Sequence, residues 1–248
     1  PGISSAASDV YKRQTLNNSE FIVDCLSKAA DLALTNSSCL VTGPLNKSII
    51  QKHVQNFTGH TEFLKRKFNA NEVLMYMTNG NLHLGILTTH IPLKEVPNAI
   101  SRDLIKNKYK LLHHGLVDIF KLASPKIAVL GINPHAGEFG TIGNEEQNTI
   151  LPAINELRGE GYDAYGPVSA DTVFTQTKYD AVLSMYHDQA LPVLKTIDFN
   201  KTVNITLGLP FLRVSVDHGT AEDIAKSYSA NYESMMEALL ISIARNEA

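Results

Sequence analysis

The sequence predicts an α/β protein, with parallel or mixed sheets flanked by helices. Two observations point there. Short, continuous apolar runs recur along the chain, as in strands covered on both faces, and stretches of helical period separate them. The chain has 248 residues, 44% of them hydrophobic and 19% charged. That is enough to bury a core in one large domain or two small ones, and too apolar for disorder.

The first fourteen residues, PGISSAASDVYKRQ, have neither the charged start nor the apolar stretch of a secretory signal, and no amphipathic period. Residues 1–14 are therefore expected to be a non-native leader. Phe21, Ile22, Cys25, Leu26, Ala29 and Leu32 then recur at helical spacing, with Asn17 and Glu20 placed as a capping box. Cys39-Leu40-Val41 reads as a strand stopped by the turn Thr42-Gly43-Pro44. Further strands are expected over 73–77, 82–88, 126–131, 181–185 and 203–206, and helices over 104–120, 145–158 and 232–243. No internal repeat interrupts this order.

Charge and cysteine usage narrow the function classes. A formal net charge of −3, with no run of Lys and Arg, leaves no electrostatic footprint for nucleic acid or a membrane surface. Cys25 and Cys39 lack CxxC spacing, which suits a reducing compartment better than a disulfide framework. No apolar run reaches the roughly eighteen residues needed to span a bilayer. The expectation is a cytoplasmic protein with no nucleic-acid or membrane partner.

Three of the nine histidines share one setting. His90 closes Leu84-Gly85-Ile86-Leu87-Thr88-Thr89, His135 follows Ile127 to Pro134, and His187 follows Ala181 to Tyr186. Each stands just past the carboxyl end of an apolar strand, the edge where open α/β sheets bind ligands. Imidazole is the commonest protein ligand for zinc and suits other divalent ions, and three ligands with an open position describe a catalytic ion. Taken singly, each is more simply a loop histidine bonded to backbone; three in matching positions favour a shared ion. The others read more blandly. His113 and His114 are adjacent on one helix and cannot both face one site, and His53 and His83 read as structural. His218 and Gly219, in the turn Asp217-His218-Gly219-Thr220, stand as candidates for cofactor contact.

Lys195 and Arg213 are natural binders of phosphate or carboxylate, with a solvated surface charge as the plain alternative. Asn204 interrupts the apolar run Val203-Asn204-Ile205 and needs a partner or a ligand. His60 and Thr61 sit in a tight turn before a helix, whose N-terminus offers N–H groups to an anion or is simply capped. Gly137, Gly140 and Gly143 have the wrong order for a dinucleotide fingerprint and read as a mobile loop carrying His135.

Together these blocks resemble one family. Phe57-Thr58-Gly59-His60-Thr61-Glu62-Phe63, Thr88-Thr89-His90-Ile91-Pro92-Leu93, Asn133-Pro134-His135-Ala136-Gly137-Glu138 and Ala170-Asp171-Thr172 follow its pattern. So do Met185-Tyr186-His187-Asp188-Gln189, Leu191-Pro192-Val193-Leu194-Lys195, 204–210 and Val216-Asp217-His218-Gly219-Thr220-Ala221. In that order, along nearly everything after the leader, the chain resembles the 4-hydroxythreonine-4-phosphate dehydrogenase family of vitamin B6 biosynthesis. The resemblance implies a two-domain isocitrate/isopropylmalate dehydrogenase-like fold, here N-terminally truncated, with 15–56 plus 208–248 in the first domain and 57–207 in the second. It implies a homodimer with shared active sites and His90, His135 and His187 holding one zinc, magnesium, manganese or cobalt ion. His60, Thr61, Lys195, Asn204 and Arg213 would contact a small phosphorylated substrate. NAD would accept the hydride, and Lys195 or Asp171 would handle the proton. Loss of carbon dioxide from the oxidised product would follow.

Two departures from the family pattern bear on this. Its opening strand is replaced by PGISSAASDVYKRQ, and its glycines after Asp223-Ile224-Ala225 are replaced by Lys226, Ser227 and Tyr228, where related dehydrogenases serve the adenine end of NAD. Rival readings are a dehydrogenase of a phosphorylated sugar acid (4-phospho-threonate or 4-phospho-erythronate), a metal hydrolase, and an inactive truncated metal-binding fragment.

Overall fold

The computed structural model describes residues 18–52, 54–55, 57–221, 224 and 229–246. The expected leader, Asn17 of the capping box, His53, and the 223–228 stretch except Ile224 lie outside the described residues. The described strands are β1 (Leu40–Thr42), β2 (Leu74–Thr78), β3 (His83–Thr88), β4 (Ile127–Leu130), β5 (Ala164–Val168), β6 (Ala181–Tyr186), β7 (Val203–Leu207) and β8 (Arg213–Val216). The longer helices are α1 (Ser19–Thr35), α2 (His60–Lys67), α3 (Arg102–Phe120), α4 (Leu151–Gly159), α5 (His187–Ile197) and α6 (Glu233–Asn246). The result is a mixed α/β fold.

Three of these elements are not visible as such in the sequence. β5 contains Gly166-Pro167, which reads as a turn, and β8 opens on a charge just after Gly208-Leu209-Pro210. α5 carries Pro192 in its interior, normally a helix breaker.

The chain divides into two units, Pro1–Asn71 with Leu209–Ala248, and Glu72–Gly208. The segment 57–71, expected in the second domain, goes with the first unit because Phe57 and Leu64 pack into that unit's core with Val23, Leu26, Ala30, Ala33, Leu40, Ile50 and Phe211. There β1 pairs with β8 in parallel, Leu40 opposite Arg213 and Thr42 opposite Ser215. The helical face of α1 differs from the expected one. Val23, Leu26, Ala30 and Ala33 are buried, whereas Phe21 is 58% and Leu32 60% exposed. Both sets have helical period, and only what packs on the helix chooses between them.

The second unit holds a mixed sheet in the order β7-β2-β3-β6-β4-β5. β2 is antiparallel to both neighbours, while β3, β6, β4 and β5 run parallel. Met77, Leu84, Ile86, Ala128, Leu130, Val182, Ala190, Leu191 and Leu194 form its core on one side, with Val173. The parallel run is what matters for chemistry, because it brings four carboxyl ends to one edge.

Candidate active site

Four expected site residues stand at that edge. His90 follows β3, and His187 is the first residue of α5, directly after β6. His135 lies in the Pro134–Gly140 loop after β4, and Asp171 in the one-turn helix Ala170–Val173 after β5. The imidazoles of His90 and His187 are neighbours, with ring centres 5.8 Å apart and planes at 44°. A metal–nitrogen bond of about 2.1 Å puts a ring centre roughly 3.2 Å from the ion, so two imidazoles on one tetrahedral ion have centres about 5.3 Å apart. The observed spacing lies within about half an ångström of that value. His187 Nδ1 lies 2.6 Å from Asp188 Oδ1, and with Nδ1 as the donor to that carboxylate Nε2 is the nitrogen that could face an ion.

His135 is not part of that pair. Its side chain is 63% exposed, with Nδ1 3.9 Å from Glu138 Oε1. The Ser169 hydroxyl, donating at 2.5 Å, lowers the pKa of the Asp171 carboxyl, and His135 acts in the same direction. Among the described residues no group of three His, Cys, Asp or Glu is placed to hold one ion. One chain therefore brings together His90 and His187, and separately His135 and Asp171. The loop itself is strained. His135, Ala136, Glu138 and Phe139 all have left-handed φ, between 41° and 57°, a conformation that costs L-residues roughly 1–2 kcal/mol each and that concentrates at functional segments.

The chain leading into the glycine-rich loop is bonded to a buried carboxylate where it leaves β4. Glu146, 1% exposed, accepts hydrogen bonds from the backbone N–H of Ile132 and of Asn133, each at 2.8 Å. A Cβ on Gly137 would lie 2.5 Å from Glu146 Oε2, so only glycine leaves the carboxylate room.

The first unit gathers a different set. Arg213, 4% exposed at the head of β8, donates through Nε and Nη2 to Thr42 Oγ1 (3.2 and 2.9 Å) and through Nη1 to Thr61 Oγ1 (3.4 Å). Burial lowers its pKa from 12.5 to about 10, against the pull of Glu62, so it stays cationic at neutral pH. His60 is held neutral: burial, then Arg213 and Lys47, bring it from 6.5 to about 3. His60 and Thr61 open α2 behind Gly59, whose φ of 141° favours glycine. A cation, a hydroxyl, a neutral imidazole and a helix N-terminus make a locus for anionic oxygens. Thr42 and Lys47 were not singled out on sequence. Their signal is the block Thr42-Gly43-Pro44-Leu45-Asn46-Lys47 between a strand and a helix start.

Lys195 lies two turns beyond His187 on α5, about 12 Å along the axis, with Nζ 5.5 Å from the Phe199 ring centre. Asn204 is level with Met77 and, through it, with Leu84. That is the opposite end of the sheet from the histidines, roughly 13 Å along β3 from Leu84 to Thr88. His218 Nδ1 pairs with Gly219 O at 2.9 Å. His83 stacks on Tyr76 and meets Phe120 edge-on.

Fold and loci define a class first: an α/β protein with a histidine pair at the carboxyl edge of a parallel run of strands. Comparison with known proteins narrows it. The family profile described as pyridoxal phosphate biosynthetic protein PdxA matches residues 3–242, starting inside the segment set aside as a leader. A 4-hydroxythreonine-4-phosphate dehydrogenase from Shewanella frigidimarina (strain NCIMB 400) is 49% identical over 227 residues, 90% of this chain and 69% of its own length. Its counterpart from Enterobacter sp. (strain 638) is 46% identical over 232 residues, 92% of this chain and 70% of its own. A crystal structure of 4-hydroxythreonine-4-phosphate dehydrogenase from Klebsiella pneumoniae matches with a TM-score of 0.85 at 33% identity, over 94% of this chain and 72% of that one. The chain belongs to the PdxA family, and the relatives it matches are dehydrogenases.

Proposed function

We propose that the chain oxidises 4-phosphooxy-L-threonine (4-hydroxythreonine 4-phosphate) to 2-amino-3-oxo-4-phosphooxybutanoate in pyridoxal phosphate biosynthesis, using NAD and one divalent ion per active site. The observation that carries this reading is the His90–His187 pair, spaced for one ion at the carboxyl edge of a parallel sheet, in a chain whose relatives are named for that substrate. The bound ion would polarise the substrate hydroxyl while the nicotinamide accepts hydride. His90 and His187 would hold the ion, with His135 supplied by the second copy of a homodimer. Arg213 and Thr61 donate to anionic oxygens of the substrate, neutral His60 adds a single hydrogen bond, and Lys195 and Asn204 complete the contacts. Lys195 or Asp171 handles the hydroxyl proton. The new carbonyl stands β to the carboxylate and accepts its electrons, so carbon dioxide leaves and 3-amino-2-oxopropyl phosphate remains. For NAD itself, only His218 and Gly219 are offered as contacts.

The test is the absorbance of reduced nicotinamide when 4-phosphooxy-L-threonine is added, with and without a chelator, beside 4-phospho-threonate and 4-phospho-erythronate. Chelator-sensitive reduction with the amino acid phosphate is expected. Preference for a sugar-acid phosphate would move the substrate assignment, and turnover without nicotinamide would point to a hydrolase.

A further inference from the structure

The strand edge that bears the histidines has a gap in its hydrogen bonding. β4 pairs with β6 only from Ile127–Ala181 to Val129–Leu183; beyond that the two strands part. Backbone polar groups on the facing sides then need partners other than the ladder. Gln189, in the first turn of α5, supplies two. Met185 N–H donates to its Oε1 at 2.7 Å, and its Nε2 donates to Gly131 O at 2.6 Å. A carboxamide offers an acceptor and a donor from one planar group. On the other flank of β6, Thr88 Oγ1 donates to Met185 O at 2.7 Å, so both polar groups of the Met185 residue are tied. On the other side of Gly131, Glu146 takes the N–H groups of Ile132 and Asn133, while Asn133 Nδ2 donates to its Oε2 at 3.0 Å. Gly131 N–H in turn donates to Val168 O, at the end of β5, at 2.9 Å.

The chain of bonds runs Thr88, Met185, Gln189, Gly131, then Ile132 and Asn133 to Glu146. Thr88 is two residues before His90, Met185 two before His187, and Asn133 two before His135. We propose that Gln189, with Thr88 and Glu146, is a positioning clasp that fixes the relative heights of the three histidine-bearing strand ends. This inference rests on the reading of those histidines as metal ligands. Each of the three clasp residues bonds to backbone within a few residues of a histidine and not to an imidazole.

The test uses the full chain and cobalt(II), followed by its visible absorption and by competition with a chromophoric chelator, with thermal melting measured on the same samples. Gln189→Leu removes both bonds at similar volume, and Thr88→Val removes one at nearly constant shape. Cobalt affinity is expected to fall by about 10- to 100-fold in Gln189→Leu, the range for groups that orient ligands, and by less in Thr88→Val. Melting in Thr88→Val should stay close to the parent, which keeps the question answerable if Gln189→Leu folds poorly. Parental cobalt affinity in a folded Gln189→Leu, or in Thr88→Val should Gln189→Leu not fold, would overturn the clasp, whatever the melting shows. His90→Ala and His187→Ala serve as separate controls. If these bind cobalt like the parent, the metal reading itself fails and the clasp falls with it; if they lose cobalt while the clasp variants keep it, the clasp alone is wrong.

Discussion

In the first unit the charged group is buried and its partners are side chains: Arg213 is 4% exposed, held by the hydroxyls of Thr42 and Thr61 beside a neutral His60. In the second unit the arrangement is inverted. The side chains of His135 and His187 keep 63% and 32% of their surface in solvent, while Glu146 and Met185 are buried, the Glu146 carboxylate accepting from backbone N–H groups and the Met185 N–H donating to the Gln189 side chain. A buried guanidinium carries a desolvation cost with or without a ligand, so its neighbours must be in place beforehand. An exposed imidazole costs little by itself, and its precision comes from the floor it stands on. The first locus is preformed by side-chain chemistry, the second by the ends of a sheet.

This contrast can be broken at several points. The largest effect is expected at the exposed ligands. His135→Ala should lower metal-dependent NAD reduction by about 10³-fold, the several kcal/mol an ion contributes to a transition state, with little change in melting because the side chain is solvated. Parental turnover under metal-buffered conditions would remove His135 from the ligand set. Next comes the buried cation. Arg213→Met should reduce kcat/KM by about 10²-fold through loss of a desolvated charged partner and, unlike the histidine change, should also alter stability, because Thr42 and Thr61 lose the group they are built around. Equal melting of Arg213→Met and parent would argue against a preformed locus.

The smallest effect concerns pH. Unfolded His60 titrates near 6.5 and folded His60 near about 3, because burial and then the Arg213 and Lys47 charges oppose protonation. Between those values the unfolded chain binds a proton that the folded chain refuses, so stability rises with pH there. The contribution is complete above pH 6.5 and is lost progressively as pH falls towards 3. The melting difference between the parent and His60→Asn should be constant above pH 6.5 and shift against the parent as pH falls from 6.5 towards 3; curves that stay parallel across that window would show that His60 is not held neutral by its surroundings.

Much of this was legible along the chain. Apolar runs such as Ile127–Leu130 and Ala181–Tyr186 announce covered strands, and the blocks around His60, His90, His135 and His187 point to a family. The face of α1 was not legible, since Phe21 and Leu32 obey helical period as well as Val23 and Ala30 do. Nor was the helix containing Pro192, where packing of Ala190, Leu191 and Leu194 into the core outweighs the lost hydrogen bond. Glu145 and Glu146 look alike on sequence, both apt for a helix start. Only in the fold does Glu146 turn inward to hold Ile132 and Asn133.

Residue type and order by themselves determined the α/β class, the family and the identity of the chemical groups, because periodicity and side-chain chemistry are properties of neighbours in sequence. The tertiary structure decided which of those groups meet. His90 and His187 are nearly a hundred residues apart and become neighbours through the parallel pairing of β3 with β6. Asn204, on a strand of the same sheet, is carried by its register to the other end. Which strands become neighbours is decided by packing between segments far apart in sequence, and no single stretch of the chain encodes it.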